Sequence, residues 1–194
     1  MFKKWYGVMV VGLALLLVLT AAACGDDDDK DNGGGSSDTD LSQTFDSATG
    51  LSVKYPEGWA ASEDSEMIQL VTSEEAMEAE TIGEDELGIL IFNPMVVSMI
   101  AGGAESPTDI LANFSEMMGD EGEFGDVSET KIGDHDGARV NVSDDETQGF
   151  MVAFKVNESD VVIATVVTAK DQLDEHESTA LDILGTVSYT APEG

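Results

Sequence analysis

Side chains able to do chemistry are few in this chain, and their spacing offers no catalytic pattern. It holds 2 histidines and 1 cysteine among 194 residues. His135 stands between Asp134 and Asp136, a donor set that a divalent metal accepts. The same run, Asp134-His135-Asp136-Gly137, is also what a hairpin turn needs, since Asp and Gly tolerate tight backbone geometry, and we read it as a turn. His176 falls between Glu175 and Glu177 on a predicted helix and is expected to be exposed. The chain has no His-Glu-x-x-His pair, no Gly-x-Ser-x-Gly elbow and no phosphate-cradling loop. With 40 Asp and Glu, close carboxylate pairs arise by chance and carry no information. No nucleophile has a visible base, so no catalytic residue, metal ligand or cofactor is expected, and the chain is not read as an enzyme.

The remaining reactive side chain is Cys24. As the single cysteine it excludes an intrachain disulfide framework and any multi-cysteine metal site. Its position is informative. Lys3 and Lys4 open the chain, residues 8–19 are apolar and uncharged, and Ala21-Ala22-Ala23 precede the cysteine. A basic start, an apolar stretch and small residues before a cleavage point are the parts of a secretory signal. This boundary resembles the lipobox of bacterial lipoproteins, with Ala21 standing where the usual pattern has leucine. The resemblance implies that Cys24 is lipidated and becomes the mature N-terminus. The alternative is an uncleaved anchor, because residues 5–23 could just span a bilayer as a helix rising about 1.5 Å per residue.

Residues 25–40 hold Asp, Gly, Ser, Asn, Thr and Lys, with no apolar side chain to bury. Such a run is expected to be a disordered, self-repelling spacer. Its Asp-x-Asp-x-Asp start lacks the glycine, the bidentate Glu and the flanking helices of a calcium loop. The chain as a whole carries 8 Lys and Arg against 40 Asp and Glu, a formal net charge of −32. That excludes nucleic acid as a partner, since phosphate backbones need clustered cations. It also fits a saline setting, where screening relieves self-repulsion. A hydrophobic share of 42% allows a packed core.

The elements behind these residues follow from periodicity. Leu51, Val53 and Tyr55 alternate with Ser52 and Lys54, as a half-buried strand requires, and Pro56-Glu57-Gly58 turns the chain. Further strands are predicted over 67–72 and 88–92, with a short helix from Ser73 through Ala79 between them. Ser106-Pro107-Thr108-Asp109 starts a helix with a cap, a proline at the first position and an acid in the first turn. Ile110, Leu111, Phe114, Met117 and Met118 share its apolar face, and Gly119 can end it. A second long helix is predicted over 171–184, with Leu173, Glu177, Ala180, Leu181 and Leu184 on one side, followed by a strand over 186–190. Between the long helices lie four strands, 127–132, 138–143, 149–156 and 160–168, joined by short polar turns into an antiparallel meander. The last of these is apolar on both faces, which calls for a central position covered from both sides. The fold class is α+β, an antiparallel sheet with helices packed on it.

The stretch Gly50-Leu51-Ser52-Val53-Lys54-Tyr55-Pro56-Glu57-Gly58-Trp59, after Thr44-Phe45, resembles the opening of PsbP-like domains. The ending Leu181-Asp182-Ile183-Leu184-Gly185-Thr186-Val187-Ser188-Tyr189 is similar to theirs as well. The resemblance implies an α/β/α sandwich around an antiparallel sheet. That family includes extrinsic photosystem subunits and many bacterial lipoproteins of unknown role, and it supplies no functional residue here. Tyr55 and Trp59 are read as packing residues.

One further stretch draws attention. Residues 95–104 are nearly uncharged in a very acidic chain. Met95, Val96, Val97, Met99 and Ile100 are candidates for an adaptable apolar patch that binds a partner, since methionine suits such surfaces. The alternative is a core strand or buried connection. Taken together, the organisation is a signal peptide over 1–23, an acidic tether over 24–43 and a PsbP-like globular domain over 44–191. The expected function is a non-catalytic binding or accessory module for an envelope protein. Cys24 would hold it on the membrane, facing outside the cytoplasm at the cell surface or in the periplasm. A small-molecule or metal-binding lipoprotein is the alternative and a hydrolase the third choice. Purified from membranes, the native chain is expected to have the mass of residues 24–194 plus acyl groups, whereas Cys24→Ala retains residues 1–23. Intact mass spectrometry checks both, and an unprocessed native chain would refute the lipid anchor.

Overall fold

The computed structural model describes residues 39–64, 67–79, 81–118 and 122–192. The signal segment, Cys24, most of the tether and Gly119 lie outside the described residues. Among the described residues the main sheet has eight strands, all paired antiparallel. Along it run β3 (Ala60–Asp64), β4 (Met67–Val71), β5 (Leu87–Phe92), β10 (Val161–Ala169), β9 (Thr147–Lys155), β8 (His135–Ser143) and β6 (Glu123–Phe124), while β7 (Ser128–Ile132) also pairs with β8. The meander expected from the sequence is therefore present as β7 to β10. β10 sits in the middle, between β5 and β9, and its residues 161–168 are all buried. A strand without a polar face can only lie where both sides are dry.

The twofold alternation of side chains divides the core. Phe150, Val152 and Phe154 of β9 and Val162, Ala164 and Val166 of β10 face one side. There they meet Ala180, Ile183 and Leu184 of helix α4 (Leu173–Leu184), together with Leu51 and Val53. The last two belong to β2 (Leu51–Tyr55), the centre of a three-stranded sheet with β1 (Gln43–Asp46) and β11 (Ser188–Tyr189). Met151, Ala153, Val161 and Ile163 face the other way. They pack with Ala138 and Val140 of β8 against helices α2 (Pro94–Ile100) and α3 (Pro107–Met118). A short helix, α1 (Glu74–Glu78), is capped by Ser73, whose side chain accepts from the backbone N–H of Ala76. The fold is α+β, with an antiparallel sheet between two covering layers. One layer is helical. The other combines α4 with the small sheet, because the apolar side of β2 is buried by stacking face to face rather than by lengthening the main sheet. Tyr55 and Trp59 pack at the margin of this layer, as read.

Several boundaries differ from expectation for local reasons. Residues 95–100 are helical, not strand: Asn93 Oδ1 accepts from the N–H of Met95 at 2.8 Å and Pro94 occupies the first turn. A cap followed by proline starts a helix despite the β-branched Val96-Val97 pair. His135 is not in a turn. It opens β8 opposite Ile132, and the chain reverses at Gly133-Asp134, with Gly133 at φ +56°. α4 begins two residues later than expected, since Asp171 is left-handed at φ +66°. With its amide oriented to satisfy both of its groups, the Gln148 oxygen accepts from Leu173 N at 2.9 Å, capping α4 from the neighbouring strand. The body also begins before residue 44, because Leu41 packs on the core and Thr39 Oγ1 donates to Asp182 at 3.0 Å.

Sheet packing leaves no room at Gly149, where a Cβ would lie 1.8 Å from the carbonyl oxygen of Val166 on β10. Gly149→Ala is expected to cost about 3 kcal/mol by forcing the two central strands apart. Urea unfolding of the variant beside wild type checks this, and a change below about 1 kcal/mol would show that the sheet yields there.

Candidate functional site

The stretch singled out in the sequence becomes one wall of a surface cleft. α2 presents Val97 and Ser98, and residues 101–106 carry the chain to α3 through Gly102 and Gly103, both at positive φ. Ser106 closes that connection as expected, its Oγ accepting from Asp109 N at 3.1 Å and donating to Asp109 Oδ2 at 2.7 Å. The opposite wall is the β9–β10 turn. Asn157 shapes it: its Oδ1 accepts from the N–H groups of Ser159 (2.9 Å) and Asp160 (2.8 Å), and its Nδ2 donates to Asp160 Oδ2 at 2.8 Å. Between the walls lies a cleft of about 410 Å³. Its floor includes Val97, Ala101, Ile110 and Val161, and Lys155, Glu105, Glu158 and Asp160 line its polar part.

The five candidate residues do not share one environment. Met99 is 70% exposed and Met95 53%, so both thioethers face solvent. Val96 and Ile100 are half-buried. Val97 is 2% exposed and belongs to the core beneath α2, so it is not part of an outward patch. A seven-residue helix explains the split, since positions two apart point to different sides, whereas a strand would have aligned Met95, Val97 and Met99. On α3, Met118 packs partly against the core, but Met117 is 60% exposed, contrary to expectation.

Asn93 anchors the start of this wall. It is buried, and while its oxygen caps α2 its Nδ2 donates to the carbonyl of Thr49 in the β1–β2 turn at 3.2 Å. That turn is pinned in turn by Glu63 of β3, whose carboxylate accepts from Ser47 Oγ at 2.5 Å, Ala48 N at 3.0 Å and Thr49 Oγ1 at 3.2 Å. Burial alone would raise the Glu63 carboxyl, but these hydrogen bonds outweigh it and hold the group below its ordinary value. The cleft therefore sits on a fixed frame.

Neither histidine enters a site. His135 lies 5.7 Å from the Phe154 ring, between centroids, and its neighbour Asp136 pairs with Lys131 at 3.0 Å. His176 is half-buried rather than exposed, and its Nε2 is buried without a hydrogen-bond partner among the described residues. Among the described residues no three His, Cys, Asp or Glu side chains converge to hold a metal.

Sequence reasoning missed a charge that this chain holds with several partners. Arg139, its only arginine, lies on β8 with its guanidinium carbon 4.2 Å from the centre of the Phe150 ring. Its Nη1 and Nη2 donate to the two oxygens of Glu177 on α4 at 2.6 and 3.2 Å, and its Nε to Asn141 Oδ1 at 3.0 Å. The signal was present in the apolar side of the predicted helix, where Glu177 stood among leucines and needed a cation. Hydrogen bonds from Arg139 hold the Glu177 carboxyl below its ordinary value of 4.5, against the opposing effect of burial and with help from the arginine charge. The group joins α4 to the sheet and is structural.

No family model matches the chain, and no curated protein matches it. Solved structures similar to it include cyanobacterial PsbP from Synechocystis sp. PCC 6803, 14% identical over 81% of this chain and 98% of that one, with a TM-score of 0.49. A Bacteroides thetaiotaomicron protein is 17% identical over 77% of this chain and 49% of that one, with a TM-score of 0.44. A protein of unknown function from Pseudomonas aeruginosa is 14% identical over 78% and 97%, with a TM-score of 0.45. One neighbour is thus a PsbP protein, but likenesses of this size carry no argument about family or activity. The fold class rests on the chain's own architecture.

Two outcomes follow. Val97→Asp places an unpaired charge in the core and is expected to cost about 3–5 kcal/mol, read as loss of the cooperative unfolding transition. Glu177→Gln is expected to cost about 1–2 kcal/mol at pH 7, at the lower end for a charged hydrogen bond because both side chains keep some exposure. Since the folded Glu177 pKa lies below the unfolded value, its contribution is complete above about pH 4.5 and is lost as pH falls through the folded pKa. The stability gap between wild type and variant should therefore shrink in urea titrations below pH 4, and an unchanged gap would refute the assignment.

Proposed function

We propose that this chain is a lipid-anchored extracytoplasmic lipoprotein with a PsbP-like domain, and that the domain is a non-catalytic binding module for an envelope protein. The α2 cleft is the docking site. The observation that carries this reading is the pair of exposed methionines, Met95 and Met99, on the helix whose Pro94, Val97 and Ser98 line a cleft of about 410 Å³. Methionine is unbranched and polarizable and adapts to a partner's side chains at low cost. The apolar floor offers the hydrophobic centre of an interface and Ser98, Lys155 and Asp160 its polar edge. For the anchor, the support is the Ala-Ala-Ala-Cys24 boundary after an apolar run. Several acyl chains on one cysteine, at about 0.8 kcal/mol per buried methylene, would hold the protein on a membrane. Among the described residues no helix is long and apolar enough to cross one.

The test is a photo-crosslinking amino acid placed at Met99 and, separately, at exposed Asp174 on α4 across the sheet. Met99 is expected to yield one specific envelope protein from native membranes and Asp174 not to. Ser98→Trp, which fills the cleft from an exposed position, should abolish the adduct without lowering Tm. Equal adducts from both positions, or an adduct indifferent to Ser98→Trp, would refute the cleft as the docking site.

A further inference from the structure

Thr165 interrupts the apolar run at the centre of β10. Positions 161, 162, 166 and 167 of that strand are valine, and Thr165 sits between Ala164 and Val166 facing α3. It is 3% exposed, and among the described residues its Oγ1 has no hydrogen-bond partner. Thr168, also buried, shows the usual solution, with its hydroxyl within 3.2 Å of the Gln148 carbonyl and 3.0 Å of the Ala169 carbonyl. An unsatisfied buried hydroxyl is costly, and valine would fill the same volume without it. Departures of this kind from local consistency collect at functional sites.

Thr165 lines a recess beneath the C-terminal half of α3, at the opposite end of β9 and β10 from the cleft. Phe114, Met118, Phe124, Met151 and Val167 form its walls. The recess is partly open to solvent and small, about 20 Å³, or about 400 Å³ when counted out to open solvent. A water fits by size, but an ordered water needs two to four polar partners. Two of the other polar side chains at the recess are engaged elsewhere: Thr147 donates to Asp144 at 3.0 Å, and Gln148 caps α4. Ser143 is the remaining hydroxyl there. Walls this apolar favour a hydrocarbon body, and the buried hydroxyl calls for one oxygen on it. Two of the walls are unbranched thioethers, Met118 and Met151, which can repack to widen the space.

We propose that this recess is a binding site for a small molecule with an apolar body and a single hydroxyl or carbonyl oxygen, oriented by Thr165. The site is separate from the α2 cleft and does not depend on the docking reading. The experiment uses the full chain carrying methyl-labelled methionine, titrated with 1-hexanol and observed by NMR. Saturable shifts of the Met118 and Met151 methyls are expected, with affinity about tenfold weaker in Thr165→Val. Without ligand, Thr165→Val should melt at or above the wild-type Tm, because an unpaired hydroxyl has been removed. The proposal is overturned if 1-hexanol gives no saturable shift at those methyls or if Thr165→Val binds it equally well. A fall of several degrees in the Tm of that variant would overturn it too, since it would reveal an internal partner for the hydroxyl.

Discussion

Burial of β10 on both faces is the constraint from which the rest of this structure follows. Residues 161–168 of that strand are all buried, and a strand at the centre of a sheet cannot turn either side to water without exposing half of them. Two covering layers are therefore required. Val162, Ala164 and Val166 take one, built from α4 and the small sheet, and Val161 and Ile163 take the other, built from α2 and α3. The neighbours β5 and β9 inherit the same demand and are nearly as apolar. Away from the centre the demand relaxes. β3 at one edge ends in Glu63-Asp64, and β7 beyond β8 carries Glu129 and Lys131, charges that discourage pairing with another chain.

The acidity of the chain is the second constraint, and the structure meets it with few cations. Arg139 is spent inside the fold, sandwiched between the Phe150 ring and the Glu177 carboxylate. A half-buried carboxylate on α4 needs a cation beside it, and a guanidinium meets both oxygens at once while its flat face covers an aromatic ring. Glu63 is handled without any cation, by hydroxyl and N–H donors from the β1–β2 turn. The consequence reaches the cleft. The turn held by Glu63 also offers the Thr49 carbonyl to Asn93, and Asn93 starts α2. One chain of short-range bonds thus runs from the edge strand to the wall that carries Met95 and Met99.

What could be read along the chain and what could not divides by range. The meander, its hairpins, the central place of β10, the Ser73 and Ser106 caps and the packing of Tyr55 and Trp59 were legible, because each depends on alternation or on turn and cap chemistry within a few residues. The helical state of 94–100 was legible too, in Asn93-Pro94, but the apolar run after it drew the reading toward a strand. Met117 and His176 were misplaced because a helical face is wider or narrower than its pattern suggests until its neighbours are known. Arg139 with Glu177 was missed because the partners lie 38 residues apart, on elements whose contact no local pattern announces.

By itself the sequence determined the long strands and the two long helices, the dry side of the half-buried strands, the acidic character of the chain and the pattern around Cys24. These are properties of neighbouring residues, and periodicity reports them directly. Only the tertiary structure decided which layer covers which face, that β2 stacks as a second sheet, that residues 94–105 and 155–161 enclose a cleft, and that Thr165 is left facing an apolar recess. The reason is physical. Hydrophobic burial has no direction, so a pattern can say that a side chain leaves water without saying what it will meet.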